Sequence, residues 1–257
     1  MTPQLNYKII GQGSPIIILH GLFGMLDNWL NMAKRLEDEG YMVILIDQRD
    51  HGHSDHTEDF SYPLLAEDLY HFMEENWIHD AILIGHSMGG KTSLQFVSEH
   101  ETMISKLMII DIGIKKYSGG HQEVFDALLA IDIHNTQSRD EVQDLLMQNL
   151  HDLGTVQFLM KNLTRRKEGG FEWKMNLSLL HQKYQNILSE ISFSHNCDTN
   201  TLFIRGDRSK YIQDEDWQLI NEKLPNAKLK TIKDAGHWVH VDQPDELFTT
   251  IIDFIRE

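Results

Sequence analysis

Unbroken apolar runs and amphipathic stretches alternate over roughly the first 110 residues, and that rhythm predicts strands alternating with helices. SPIIILHG (14–21) is a β-branched run that ends in glycine, the pattern of a strand buried on both faces. YMVILID (41–47), AILIGHS (81–87) and KLMIIDIG (106–113) repeat it. Between them the apolar positions fall at helical spacing. In DNWLNMAKRLEDEG (27–40), Trp29, Leu30, Ala33 and Leu36 share one face, Asp27 is placed to cap the helix and Gly40 to end it. YPLLAEDLYHFMEENW (62–77) reads as a second helix with Pro63 in its first turn, and MGGKTSLQFVSEH (88–100) as a third. The alternation predicts an α/β fold, a mostly parallel central sheet flanked by helices.

The rhythm breaks at 114–195. Segments 124–131, 141–150, 156–163 and 177–188 keep helical spacing, and no segment there reads as a buried strand. Strand–helix alternation then returns with TLFIRG (201–206), AKLKTI (227–232) and a closing helix at 244–257. The expected organisation is a core of 1–113 and 196–257 with a helical cap, 114–195, inserted after the sixth core strand. Such a cap would cover the C-terminal edge of the sheet, where open α/β sheets bind ligands.

Composition narrows the function. The 257 residues, 41% of them hydrophobic, suit one sizeable core. No apolar run approaches 18 residues, so no membrane span is expected. The opening MTPQLNYKII lacks a basic segment followed by an apolar one, and the single cysteine, Cys197, fits a reducing compartment; the expected location is cytoplasmic. A net charge of −16 repels phosphate backbones and argues against a nucleic-acid partner.

The chemistry sits in GHSMG (85–89), a Gly-x-Ser-x-Gly between a strand and a helix. In that context the turn lifts the Ser87 hydroxyl above the sheet edge, as a nucleophile needs. Its base is expected late in the chain, and GHWVH (236–240) supplies His237, with His240 as competitor. The N–H of Met88, next to the nucleophile, and that of Leu22 in HGLFG (20–24) are the expected oxyanion donors, with Phe23 the alternative to Leu22. Leu22, Phe23, Trp173 and Trp238 are candidate walls of the acyl pocket, and Lys91 reads as structural. In FEWKM (171–175), Phe171, Trp173 and Met175 share a face if extended; gluing the cap helices is an equal reading.

HGHSDH (51–56) matches a two-metal ligand pattern letter for letter. It also fits the Asp-x-Arg-Gly-x-Gly-x-Ser of serine hydrolases, with Asp50 in the first glycine position. The other motifs favour that second reading, so no metal and no cofactor are expected, and Asp47 and Arg49 read as loop ties.

HGLFG, DQRDHGHS (47–54), GHSMGGK (85–91) and GHWVH stand in the order and spacing of the α/β-hydrolase superfamily. HGLFGMLDNW, GHSMGGK, the DIG of 111–113, RG-x-x-S-x-Y-I and GHWVH resemble one branch, the small bacterial carboxylesterases of the YbfF type and their mitochondrial abhydrolase relatives. The likeness spans nearly the whole chain and is weakest in the cap. It implies an α/β-hydrolase fold and cofactor-free hydrolysis of an ester or thioester. The expected enzyme is a serine carboxylesterase for short- to medium-chain acyl esters, a monomer or homodimer with a small-molecule substrate. An acyl-CoA thioesterase, or a slow or non-catalytic ligand sensor on the same fold, is the alternative.

The resemblance also raises a problem. Its usual acid lies in a Gly-x-x-Asp loop, and here RGDRSKYI (205–212) has Ser209 in that register and Asp207 two positions early. Some superfamily members carry the acid at the end of the strand after the nucleophile strand, where this chain has Asp111. Asp111 is the first choice and Asp207 the alternative, with Ser209 a hydrogen-bonding support.

Overall fold

The computed structural model describes residues 2–257. Strands β1 (Tyr7–Ile10) and β2 (Pro15–Leu19) lead through a 3-10 turn, Leu26–Trp29, into α1 (Leu30–Asp38). The chain continues through β3 (Met42–Ile46), α2 (Tyr62–Glu75), β4 (Ala81–His86), α3 (Met88–His100) and β5 (Ile104–Ile110). The inserted helical region follows: α4 (Gln122–Leu129), α5 (Arg139–Leu150), α6 (Leu153–Met160), the strands β6 (Leu163–Arg165) and β7 (Phe171–Trp173), α7 (Leu177–Gln182) and α8 (Tyr184–Ile187). The chain then closes with β8 (Asn200–Gly206), α9 (Asp216–Lys223), β9 (Ala227–Ile232), α10 (Val239–Asp242) and α11 (Pro244–Arg256).

Seven strands form the main sheet in the order β1-β3-β2-β4-β5-β8-β9, and every neighbouring pair except β1–β3 is parallel. Alternate residues of each strand enter opposite cores, as the two-residue period of a strand requires. Ile16, Ile18, Val43, Leu45, Ile82 and Ile84 pack with Met32, Ala33 and Leu36 of α1 and Leu247 and Ile251 of α11. Ile17, Leu19, Ile44, Ile46 and Leu83 pack on the other face with Leu65 and Leu69 of α2 and Phe96 and Val97 of α3. That second core runs on without a break into Phe125, Leu146, Val156 and Leu159 of the inserted region.

The pattern reading needs four corrections. YKII of β1 is mostly exposed and carries no apolar run, so hydropathy does not reveal it. The strand before the insertion is the fifth along the chain among the described residues, not the sixth. Asp27 lies inside the 3-10 turn instead of capping a helix; Asn28 Oδ1 accepts the Met25 N–H at 2.7 Å and Asp47 Oδ1 accepts that of Leu26 at 2.7 Å. The inserted region also holds the β6–β7 pair, whose three-residue strands are too short to show a period.

Candidate active site

Parallel strands all end at the same edge of the sheet, so residues just past β2, β4, β5 and β8 meet there. Ser87 follows β4 with φ 52° and ψ −117°, a backbone state that side-chain-bearing residues avoid. Its neighbours hold it there. The Ser87 N–H donates to the Ile110 carbonyl at 3.0 Å, extending the β4–β5 ladder by one residue, and α3 begins at Met88. A Cβ on Gly85 would stand 2.3 Å from the Gly89 carbonyl oxygen, and one on Gly89 would stand 2.4 Å from that of Leu19. Both positions must therefore be glycine for the turn to close.

His237 comes from the loop after β9. Its Nε2 lies 3.0 Å from Ser87 Oγ and its Nδ1 2.7 Å from Asp111 Oδ2. An ionised carboxylate only accepts, so Nδ1 carries the proton and Nε2 is free to take that of the Ser87 hydroxyl. Asp111 is fully buried just past β5, at φ 53°. Its N–H donates to the Ile204 carbonyl at 2.8 Å, Gly206 N–H donates to Oδ1 at 3.2 Å, and the Ser209 hydroxyl donates to Oδ2. Asp207 lies on the same loop as Ser209 but is exposed, and its carboxylate has no hydrogen bond among the described residues. Ser87, His237, Asp111 and Ser209 are thus brought together, and Asp207 is not.

Two aromatic neighbours restrain the His237 ring. Tyr211 stacks on it with centroids 4.0 Å apart and planes 21° apart. His86 Nε2 donates to the His237 carbonyl at 2.9 Å. Burial holds the His86 imidazole well below the usual histidine range, helped by His237 and His240 nearby. Burial also pushes His240 down to about 3. Stacked on Trp29 at 4.5 Å and lying in α10, His240 is neutral and touches neither Ser87 nor Asp111.

A cleft of about 210 Å³ opens above Ser87. Leu22, Phe23, Val124, Phe158, Leu159 and Trp238 form its apolar wall, while Asn28, His86 and His240 give it a polar end. The amides of Leu22, Phe23 and Met88 have no protein partner among the described residues. Trp173 does not line the cleft; it lies opposite Leu163 in the β6–β7 pair, with Phe171 and Met175 buried around it.

Sequence reasoning missed Asn162, which is buried in the inserted region and donates from Nδ2 to the Phe23 carbonyl at 2.7 Å. Phe23 sits at φ 59°, so Asn162 pins the loop that carries the Leu22 and Phe23 amides. A lone Asn in a helical stretch carries no signal of this role. Lys91, one turn into α3, donates from Nζ to the carbonyls of Lys115 at 2.8 Å and of Ser189. Those carbonyls lie near the two ends of the inserted region, Lys115 between β5 and α4 and Ser189 just past α8. Burial pushes this ammonium down to about 7, opposed by Glu190.

The histidines of HGHSDH diverge. His51 is buried with Nδ1 donating to the Arg49 carbonyl, His53 is exposed, and His56 Nε2 reaches the Lys174 carbonyl at 2.8 Å. Asp47 ties the 47–54 loop to Asn6 and closes it on itself by accepting the His53 N–H, and Arg49 grips Asp68 through two bonds of 2.6 and 2.7 Å.

The family model for the alpha/beta hydrolase fold matches residues 14–244. The chain belongs to the α/β-hydrolase family. Within that family it is similar to a putative esterase/lipase of Haemophilus influenzae, 37% identical over 243 residues, which cover 94% of this chain and 83% of the relative. Esterase YbfF of Escherichia coli is 33% identical over 245 residues, 95% of this chain and 94% of that one. Among solved structures, a marine microorganism esterase superposes with a TM-score of 0.96 at 37% identity, covering 98% of this chain and 99% of its own. This α/β-hydrolase is a serine-hydrolase-type enzyme of the esterase/lipase group, close to the YbfF branch. No helix among its described residues is long and apolar enough to cross a membrane.

Proposed function

We propose that this hydrolase is a serine carboxylesterase for short- to medium-chain acyl esters, working through an acyl-enzyme on Ser87. The observation that carries the reading is the unbroken hydrogen-bond chain from Ser87 Oγ through His237 to Asp111, facing an apolar cleft. On this reading Ser87 attacks the acyl carbonyl while His237 Nε2 takes its proton. Negative charge then grows on the carbonyl oxygen, and the Leu22 and Met88 amides receive it, with Phe23 as the alternative to Leu22. His237 returns the proton to the departing alcohol, and water cleaves the acyl-enzyme by the same route. Asp111, supported by Ser209, keeps the ring in the tautomer that accepts from Ser87 and offsets the charge of the imidazolium.

The inserted region, 114–195, acts in this proposal as the cap over the core of 1–113 and 196–257. It supplies Val124, Phe158 and Leu159 to the acyl side, beside Leu22, Phe23 and Trp238. A cleft of about 210 Å³ is smaller than the roughly 300–1,000 Å³ that drug-sized ligands occupy, which supports a small acyl group. The test is a chain-length series of p-nitrophenyl esters run beside the matching acyl-CoA thioesters. Turnover should peak at the shorter esters and vanish in Ser87→Ala, and a fluorophosphonate should label the wild-type serine. Near-full activity in Ser87→Ala overturns the mechanism, and a preference for thioesters moves the assignment to a thioesterase.

A further inference from the structure

The sheet edge opposite the cleft carries a second group of chemistry-bearing side chains. Glu101 follows α3 directly and precedes β5; Cys197 and His195 precede β8. These are the N-terminal ends of the strands whose C-terminal ends lie at Ser87. The 13 residues of α3 span about 20 Å, so the group stands well clear of the reacting atoms. One donor atom from each of Glu101, His195 and Cys197 lies within 4.8 Å of the others.

We propose that Glu101, His195 and Cys197 form a binding site for a zinc ion. Thiolate, imidazole and carboxylate together suit a borderline-soft divalent cation in tetrahedral geometry, whereas magnesium and calcium take oxygen donors. Water completes the fourth position. Metal–ligand bonds of about 2.0–2.3 Å set donors roughly 3.5 Å apart in a tetrahedron. His195 is exposed and free to close that gap, while Cys197 is fully buried and forms the fixed floor. Binding breaks the Cys197 S–H bond, forms a zinc–sulfur bond and sends the proton to solvent.

Two features beyond the cluster favour a cation here. Each outer ligand is already oriented by a partner of its own, as metal ligands are. Thr199 donates to Glu101 Oε1 from its N–H at 2.7 Å and its hydroxyl at 2.9 Å. Ser194 Oγ meets His195 Nδ1 at 3.0 Å, which leaves Nε2 as the nitrogen with no partner among the described residues. The group also borders an open cleft of about 460 Å³ rimmed by Glu74, Glu99, His79 and His100. On a chain of net charge −16 that rim concentrates cations. Bound zinc would clip the end of the nucleophile helix to the segment that returns from the inserted region into β8, so its effect is on stability.

The experiment titrates zinc chloride into tag-free, chelator-treated protein, read by calorimetry and by thermal melting. One zinc per chain is expected, with Tm raised by about 5 °C or more once zinc stands ~100-fold above its Kd. His195→Ala and Cys197→Ser should each remove both effects and keep p-nitrophenyl ester turnover, which separates this proposal from the catalytic one. Cobalt in place of zinc should give a thiolate charge-transfer band in wild type that Cys197→Ser lacks. No stoichiometric uptake at ~1 mM zinc, about −4 kcal/mol of affinity, overturns the proposal. So does binding that survives in either variant.

Discussion

The sheet edge and the inserted helical region face the same cleft, yet they are built by different rules. At the edge, position comes from the backbone. Ser87 and Asp111 both sit at positive φ, and each is held there by a ladder bond to the neighbouring strand, to Ile110 and Ile204 respectively. Movement of either would break sheet hydrogen bonds and open the buried core. The inserted region instead offers side chains, among them Val124, Phe158 and Leu159, from helices tied to the core by packing and a few polar links such as Asn162 and Lys91. A rigid edge suits the chemistry, which tolerates errors of a fraction of an ångström. On the proposed reading, an adjustable wall suits the choice of acyl group.

The sharpest way to break this contrast is at the edge. Asp111→Asn keeps the size of the side chain but can donate toward His237 Nδ1, forcing the proton onto Nε2, where it blocks acceptance from Ser87. A loss of about 10³- to 10⁴-fold in kcat/KM is expected, by the tautomer argument that holds for serine-protease triads. Steady-state kinetics on a p-nitrophenyl ester decide it. A loss under about tenfold would mean that the ring does not depend on this carboxylate.

The same contrast explains how far the sequence could be read. Strands β2, β3, β4 and β5 are buried on both faces and so announce themselves as apolar runs. Ser87 and His237 stand in short motifs whose spacing follows from tight turns at strand ends. Asp111 was legible as a strand-end acid, but choosing it over Asp207 depends on which strand ends are neighbours in space. β5 pairs with β8, and this brings Gly206 and Ser209 to the Asp111 carboxylate. The walls of the cleft were hardly legible. Helical spacing marks Leu159 and Phe158 as apolar without saying which core they join, and Trp173 looks as suitable as Trp238. Asn162 acts across 139 residues of chain through one amide, and nothing local encodes that.

Acid should test the two regions next. His20, His51, His86 and His240 are in the core and His121 in the inserted region, and burial is the leading cause lowering all five. His51 falls to about 3 and His121 to about 4. In the unfolded chain each titrates near 6.5, so between that value and the folded one the unfolded state binds the extra proton. Stability is therefore complete above roughly pH 6.5 and falls on acidification through that window. The limit for each buried ring is about 1.4 kcal/mol per pH unit, a tenfold change in the folded-to-unfolded ratio. Urea midpoints at pH 7.5 and 5.5 measure it. Equal midpoints would mean that these rings find protons or water without unfolding.

Asn162→Leu asks whether the inserted region reaches the chemistry at all. The substitution removes the bond to the Phe23 carbonyl, and it also removes an Oδ1 that is buried without a partner among the described residues. Those two changes oppose each other in stability, so Tm should move by only a few degrees. The loop bearing the Leu22 and Phe23 amides loses its anchor, and kcat should drop about 10- to 100-fold with little change in KM, less than the loss of a whole oxyanion donor. An unchanged kcat would reduce the inserted region to a wall.

The smallest effect belongs to Asp207. Among the described residues only its N–H makes a hydrogen bond, donating to the Ile232 carbonyl at 2.9 Å, and Asp207 lines an open groove with Arg205 and Gln213. Asp207→Asn leaves that N–H bond intact and changes one exposed charge. Surface substitutions of this kind stay within about 0.5 kcal/mol, so the rate should remain within about twofold of wild type. The pairing with Asp111→Asn makes the measurement decisive. Asp111 and Asp207 each directly follow one of two adjacent parallel strands, β5 and β8, and among the described residues only Asp111 is in contact with the imidazole. A large loss from Asp207→Asn beside a small one from Asp111→Asn would require the 205–212 loop to rearrange in the working enzyme, and the edge would then be the adjustable part of the site.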